Sequence, residues 1–137
     1  MIGILIVTHG NLGDALIDTA ELVLGSRPEK VAAVSIDITE PAEKLRKKIA
    51  DGIKAMNEDD GVLIMTDLFG GSPSNLSYSF LEEGSIEVIS GVNLPILVKA
   101  IRARHSMDLS ELTKQIEDVG KKSISIASSI LKGNKRS

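Results

Sequence analysis

Four short apolar runs punctuate the chain: Ile4-Leu5-Ile6-Val7, Val31-Ala32-Ala33-Val34, Val62-Leu63-Ile64-Met65 and, with one charge inside it, Ile86-Glu87-Val88-Ile89. Runs this short and this continuous suit strands covered on both faces, as in a parallel sheet. Segments of helical length separate them. Leu12, Leu16, Ala20 and Val23 recur at three- and four-residue steps in the first, and Leu45, Ile49, Ile53 and Met56 do so in the second. Residues Ser74 to Glu83 supply a third helix. Strand and helix in alternation imply βαβ units with right-handed crossovers, hence an α/β sandwich of three layers.

Beyond the fourth run, Asn93 is suited to cap a helix reaching about Arg104, with Pro95 tolerated in its first turn. Asp108 or Ser110 starts another, which Gly120 is expected to end. Ser123-Ile124-Ser125-Ile126 then alternates polar and apolar, the pattern of a half-exposed edge strand. No repeat or Pro-rich linker interrupts the chain. Residues 1–130 therefore read as one domain and 131–137 as a flexible basic tail.

Composition narrows what such a domain does. Hydrophobic residues make up 42% of the 137 and charged residues 26%, the balance of a globular chain with a real core. Aromatics are only 2%, too few for a base-stacking platform, and the net charge of −3 leaves no footprint for nucleic acid. Residues 1–98 carry 7 Lys/Arg against 15 Asp/Glu, and residues 99–137 carry 9 against 4. That asymmetry fits solvated helix faces as well as a docking surface. Without cysteine there are no disulfides or thiolate metal sites, which a reducing cytoplasm permits. No apolar run approaches the roughly 18 residues of a membrane span, and the N-terminus lacks a signal peptide's basic region and cleavage site. A cytoplasmic protein not inserted in a membrane is expected.

In open α/β sheets, ligands bind beyond the carboxyl ends of the strands, where strand order reverses. Thr8-His9-Gly10 stands at the end of the first run, and Thr66-Asp67 at the end of the third, followed by Leu68-Phe69-Gly70-Gly71-Ser72-Pro73. In a 2-1-3-4 order these two strands are neighbours, and His9 faces Asp67 across the crevice. Imidazole is nucleophilic through its unprotonated nitrogen. A carboxylate on the other nitrogen fixes the tautomer and stabilises the developing cation. Helix N-termini offer amides to an arriving phosphoryl group. Asn11 is a candidate cap for the first helix, and Ser72 with Pro73 for the third. Gly70 and Gly71 let the backbone come close.

Taken singly, each of these residues has an ordinary structural explanation: a bonded histidine, a turn aspartate, a capping serine, a tight Gly-Gly turn. Their joint placement at one crevice is what points to chemistry. His105, in the polar stretch Arg104-His105-Ser106, is assigned no role. Gly-Lys-Ser/Thr is missing after Gly70-Gly71, Gly10 and Gly13 complete no dinucleotide fingerprint, and two histidines make no metal cluster. No cofactor and no metal are therefore expected. A Ser72-His9-Asp67 hydrolase is disfavoured, because Ser72 before Pro73 suits capping and the G-x-S-x-G elbow is absent.

Three pieces now stand in order along the chain: Ile6-Val7-Thr8-His9-Gly10, Thr66-Asp67-Leu68-Phe69-Gly70-Gly71-Ser72-Pro73-Ser74-Asn75 and Gly91-Val92-Asn93-Leu94-Pro95. In these the sequence resembles the enzyme IIA component of the mannose-type phosphoenolpyruvate-dependent sugar phosphotransferase system, along essentially its whole length to about Ala127. The resemblance implies that the carrier HPr donates phosphate to Nε2 of His9, that Asp67 orients the ring, and that a IIB protein takes the phosphate on for sugar uptake through membrane components IIC and IID. It implies a four-stranded parallel sheet with an antiparallel fifth edge strand, exchanged between the subunits of a homodimer, for which Ser123 to Ile126 is the candidate. Related roles are a regulatory phosphohistidine module and the phosphotransferase subunit of dihydroxyacetone kinase. Two departures stand out. No linker into a IIB domain follows, so the acceptor is expected in trans. Position 74 is Ser where Phe is common, which is expected to alter the acceptor-facing surface.

Overall fold

The computed structural model describes residues 1–68 and 70–136, with side chains described through Lys132. All four apolar runs form strands: β1 (Gly3–His9), β2 (Val31–Ile36), β3 (Val62–Thr66) and β4 (Ile86–Ser90). They pair in parallel in the order β2-β1-β3-β4, with His9 opposite Ile36 and Val7 opposite Thr66. The central pair explains why two runs lack alternation. Ile4, Ile6, Leu63 and Met65 face one layer of helices, and Leu5, Val7, Val62 and Ile64 face the other.

The first layer holds α1 (Leu12–Leu24), α4 (Leu94–Ala103) and α5 (Leu109–Lys122), whose Ile17, Leu97, Ile101, Leu112 and Ile116 complete that half of the core. The second holds α2 (Ala42–Met56), with Leu45, Ile49 and Ile53 buried, and the short α3 (Ser72–Tyr78). Full burial of an aliphatic side chain is worth about 1.5–3 kcal/mol, so the two apolar faces of β1 and β3 dominate the packing. Asn93 caps α4 through Ile96 N–H, and Asp108 caps α5 through Glu111 N–H, both as expected from sequence.

The third helix and α5 depart from expectation in their bounds. The third helix starts two residues earlier than predicted and ends at Tyr78, before a turn in which Glu82 and Ile86 exchange backbone hydrogen bonds. Gly120 does not end α5 but lies within it, where a Cβ would meet Ile96 Cγ2 at 2.9 Å. The sheet has four strands among the described residues, and Ser123 to Ile126 is paired with none of them. Alternation sets which side chains share a face but supplies no partner strand, and Ile124 and Ile126 stay 84% and 67% exposed. The segment beyond, where a basic tail was expected from residue 131, is helical as α6 (Ala127–Arg136).

Candidate functional site

β1 and β3 are neighbours, and both deliver their last residues to the same edge of the sheet. His9 is the final residue of β1, and Asp67 follows directly on the last residue of β3. The parallel register brings them into contact. Asp67 Oδ2 lies 2.8 Å from His9 Nδ1 and also accepts the His9 backbone N–H at 2.9 Å. The other carboxylate oxygen, Oδ1, accepts the Leu68 N–H at 2.9 Å.

These bonds settle the tautomer. A carboxylate only accepts, so Nδ1 carries the proton and, in the neutral ring, Nε2 carries the lone pair. Nε2 has no hydrogen-bond partner among the described residues. Burial of Asp67 acts to raise its pKa and is the largest single influence. The bonds from the His9 amide and ring, together with that from Leu68, outweigh it and hold the carboxyl below its ordinary value. The aspartate is 10% exposed and the imidazole 42%, so the ring is open to approach while the carboxylate beneath it is covered.

Gly71 comes against the ring: a Cβ there would stand 3.3 Å from His9 Cε1, the carbon between the two nitrogens. Gly70 has φ +83, a conformation that glycine adopts without strain. The N-cap of α3 is Gly71, in extended conformation, so Ser72 is the first helical residue rather than the predicted cap. Gly70 and Ser72 make no hydrogen bond to His9 or Asp67. Ser72 lines a hollow with Ile38, Glu40, Leu45 and Leu76. The structure thus joins His9, Asp67 and Gly71, with Gly70 and Ser72 flanking.

Two residues of the neighbourhood escaped the sequence reading. Asn11 occupies the N-cap of α1 but its side chain caps nothing. Thr8 performs that task from inside the strand: its buried Oγ1 accepts the Gly13 N–H at 3.0 Å. Thr is a capping residue type, but a bond spanning five positions depends on the β1–α1 turn. Ser74 does not face an acceptor. It is fully buried, and its Oγ contacts Thr66, Ser90 and the Leu68 carbonyl. His105 is exposed and follows Arg104, whose guanidinium donates to the Ile2 carbonyl at the other end of β1. Among the described residues, no three His, Cys, Asp or Glu side chains gather as a metal site.

A family model described as "PTS system fructose IIA component" matches residues 3–117. A fructose-specific EIIA component of this phosphotransferase system from Bacillus subtilis (strain 168) is 30% identical over 129 residues, covering 93% of this chain and 88% of the relative. The mannose-specific EIIAB component of Escherichia coli (strain K12) is 38% identical over 104 residues, 75% of this chain but 32% of that longer protein. Among solved structures, the crystal structure of phosphotransferase system component EIIA from Streptococcus agalactiae superposes with a TM-score of 0.84 at 27% identity, over 94% of this chain and 99% of that one.

Proposed function

The chain belongs to the PTS fructose IIA component family, and on that premise we propose that it accepts a phosphoryl group from HPr on His9 Nε2 and passes it to a IIB protein for sugar uptake. The observation that carries this reading is the Nδ1–Asp67 contact, which leaves Nε2 of the neutral ring with its lone pair and without a partner among the described residues. In the transfer, Nε2 attacks the phosphorus of the donor's phosphohistidine. The new N–P bond forms as the donor's N–P bond breaks, and the donor imidazole leaves with that electron pair. The His9 ring keeps its Nδ1 proton and gains positive charge, which the ionised Asp67 stabilises. Transfer onward reverses these steps on a IIB nucleophile.

Gly70, Gly71 and Ser72 are assigned to the phosphoryl oxygens. Gly71 leaves room beside Cε1, next to the reacting nitrogen, and the first turn of α3 brings free amides and the Ser72 hydroxyl. Leu12 at the start of α1, and Ile38 and Leu68 on the connections that follow β2 and β3, are 45%, 70% and 58% exposed. Apolar surface at that end of the sheet supports exchange with proteins rather than with a small phosphate donor. No helix among the described residues is long and apolar enough to cross a membrane. On this reading the membrane step belongs to IIC and IID, reached through IIB from the cytoplasm. Pairing of Ser123 to Ile126 with the open edge of β4 in a second copy is part of the same proposal.

The test is reconstitution. With phosphoenolpyruvate, enzyme I and HPr, the chain should gain one phosphate, labile in acid and stable in alkali, and lose it to an added IIB protein. Failure to take phosphate from HPr refutes the reading. Uptake of phosphate that no IIB removes refutes its sugar-transport half.

A further inference from the structure

A cluster of hydroxyls, two of them fully buried, lies directly behind the Asp67 loop and is contributed by β3, α3 and β4. Ser74 Oγ, on α3, is 2.5 Å from Thr66 Oγ1 at the end of β3 and 3.0 Å from Ser90 Oγ at the end of β4. Thr66 Oγ1 also donates to Ser90 Oγ at 2.9 Å, and Tyr78 OH reaches Ser90 Oγ at 3.2 Å. Thr66 and Ser74 are both fully buried. The remaining bond of Ser74 goes to the backbone carbonyl of Leu68.

The direction of the protons follows from the acceptor. A carbonyl cannot donate, so the single Ser74 proton is committed to Leu68, and Ser74 can only accept from its hydroxyl neighbours. The single Thr66 proton faces both Ser74, at 2.5 Å, and Ser90, at 2.9 Å, and the bond between Ser74 and Ser90 is donated by Ser90. Donors from Thr66 and Ser90 therefore converge on Ser74, which donates to Leu68, and each bond polarises the next. Leu68 is the residue whose N–H holds Asp67 Oδ1.

We propose that Ser74 is a positioning residue for the phosphoacceptor: it fixes the Leu68 carbonyl, keeps the Leu68 amide on Asp67, and so holds the carboxylate in the orientation that sets the His9 tautomer. This rests on the phosphocarrier reading above and names a residue through which that site is kept in order. Ser74 touches neither the ring nor the phosphate. Ser77, on the same helix and equally buried, donates its hydroxyl to the Pro73 carbonyl and has no route to Asp67. It is the matched control.

The experiment compares wild type, Ser74→Ala and Ser77→Ala by two readouts: the rate of phosphate uptake from phospho-HPr, and the ring-nitrogen signals of His9 in ¹⁵N NMR without any phosphate donor. The expected result for Ser74→Ala is an uptake rate lower by about tenfold, the scale of one or two neutral hydrogen bonds, with a mixed His9 tautomer. Ser77→Ala should keep the wild-type rate and signals. Ser90→Ala removes one of the donors behind Ser74 and should give an intermediate shift, so it decides the matter if Ser74→Ala does not fold. Wild-type rates and ring signals in the folded Ser74 variant, or in Ser90→Ala where it replaces it, would overturn the proposal. Equal effects in Ser77→Ala would do the same. If the wild-type chain takes no phosphate, the phosphocarrier reading fails by itself, while the ring signals still decide whether Ser74 orders Asp67 and His9.

Discussion

Asp67 holds His9 by two separate handles with one oxygen: Oδ2 accepts both the backbone N–H, at 2.9 Å, and the ring Nδ1–H, at 2.8 Å. Backbone and side chain of one histidine are thereby tied to one point, which restricts rotation of the ring about its side-chain torsions. With His9 as the proposed nucleophile, the cost of ordering its ring is met in the fold, before any partner arrives.

Asp67→Asn retains an oxygen that can accept these bonds but loses the negative charge. In the proposed transfer, the imidazolium formed on His9 then lacks its counter-charge. Uptake of phosphate should fall by roughly 10- to 100-fold, the range seen when an orienting partner is removed, with the sheet intact by circular dichroism. Rapid-quench measurement of phosphate uptake checks this, and a wild-type rate would remove Asp67 from the mechanism.

The depressed pKa of Asp67 fixes the sign of its pH dependence. A carboxyl titrating lower in the folded chain than in the unfolded one contributes stability that is fully present above the unfolded value, about 3.9 for aspartate. That contribution is lost as pH falls through the folded value. Urea unfolding from pH 6 down to pH 3 should therefore show a larger acid loss in wild type than in Asp67→Asn, and the Asp67 carboxyl should titrate below the ordinary aspartate range by ¹³C NMR.

Gly71→Ala isolates the space beside the ring. Its φ of −80 suits alanine, so the change in Tm should be small. The added Cβ would stand 3.3 Å from His9 Cε1, where the phosphoryl group has to arrive. A drop in phosphate uptake on the order of tenfold is expected from this displacement.

Thr8→Val tests the cap inside β1. The change keeps the side-chain volume and β-branching but leaves the Gly13 N–H without its acceptor. The loss should be about 1 kcal/mol in denaturant unfolding, typical of a removed helix cap. Asn11→Ala, whose side chain caps nothing, should cost less.

Much of this was legible in the residues. The runs at Ile4 and Val62 lack alternation because β1 and β3 are covered on both faces, and that pattern led to the parallel sheet and to His9 and Asp67 at its carboxyl edge. Asn93 and Asp108 signalled their helix starts because such caps act within three residues. Thr8 was hidden because its partner depends on the conformation of the turn after His9. Ser74 was hidden because a small polar residue near a helix start reads as solvated, and its burial depends on Thr66 and Ser90 arriving from two other strands. Ser123 to Ile126 carried the period of a strand, but pairing is a property of neighbours, and one chain provides none for it.

The central claim is that His9 Nε2 is the phosphoryl acceptor. The direct measurement is ³¹P and ¹⁵N NMR of the chain after incubation with phosphoenolpyruvate, enzyme I and HPr, beside His9→Ala. The account predicts a single phosphoramidate signal coupled to Nε2 of His9, with Nδ1 still protonated, and no signal in the variant. Phosphate on Nδ1, on His105 or on any residue of His9→Ala at the wild-type rate would contradict it.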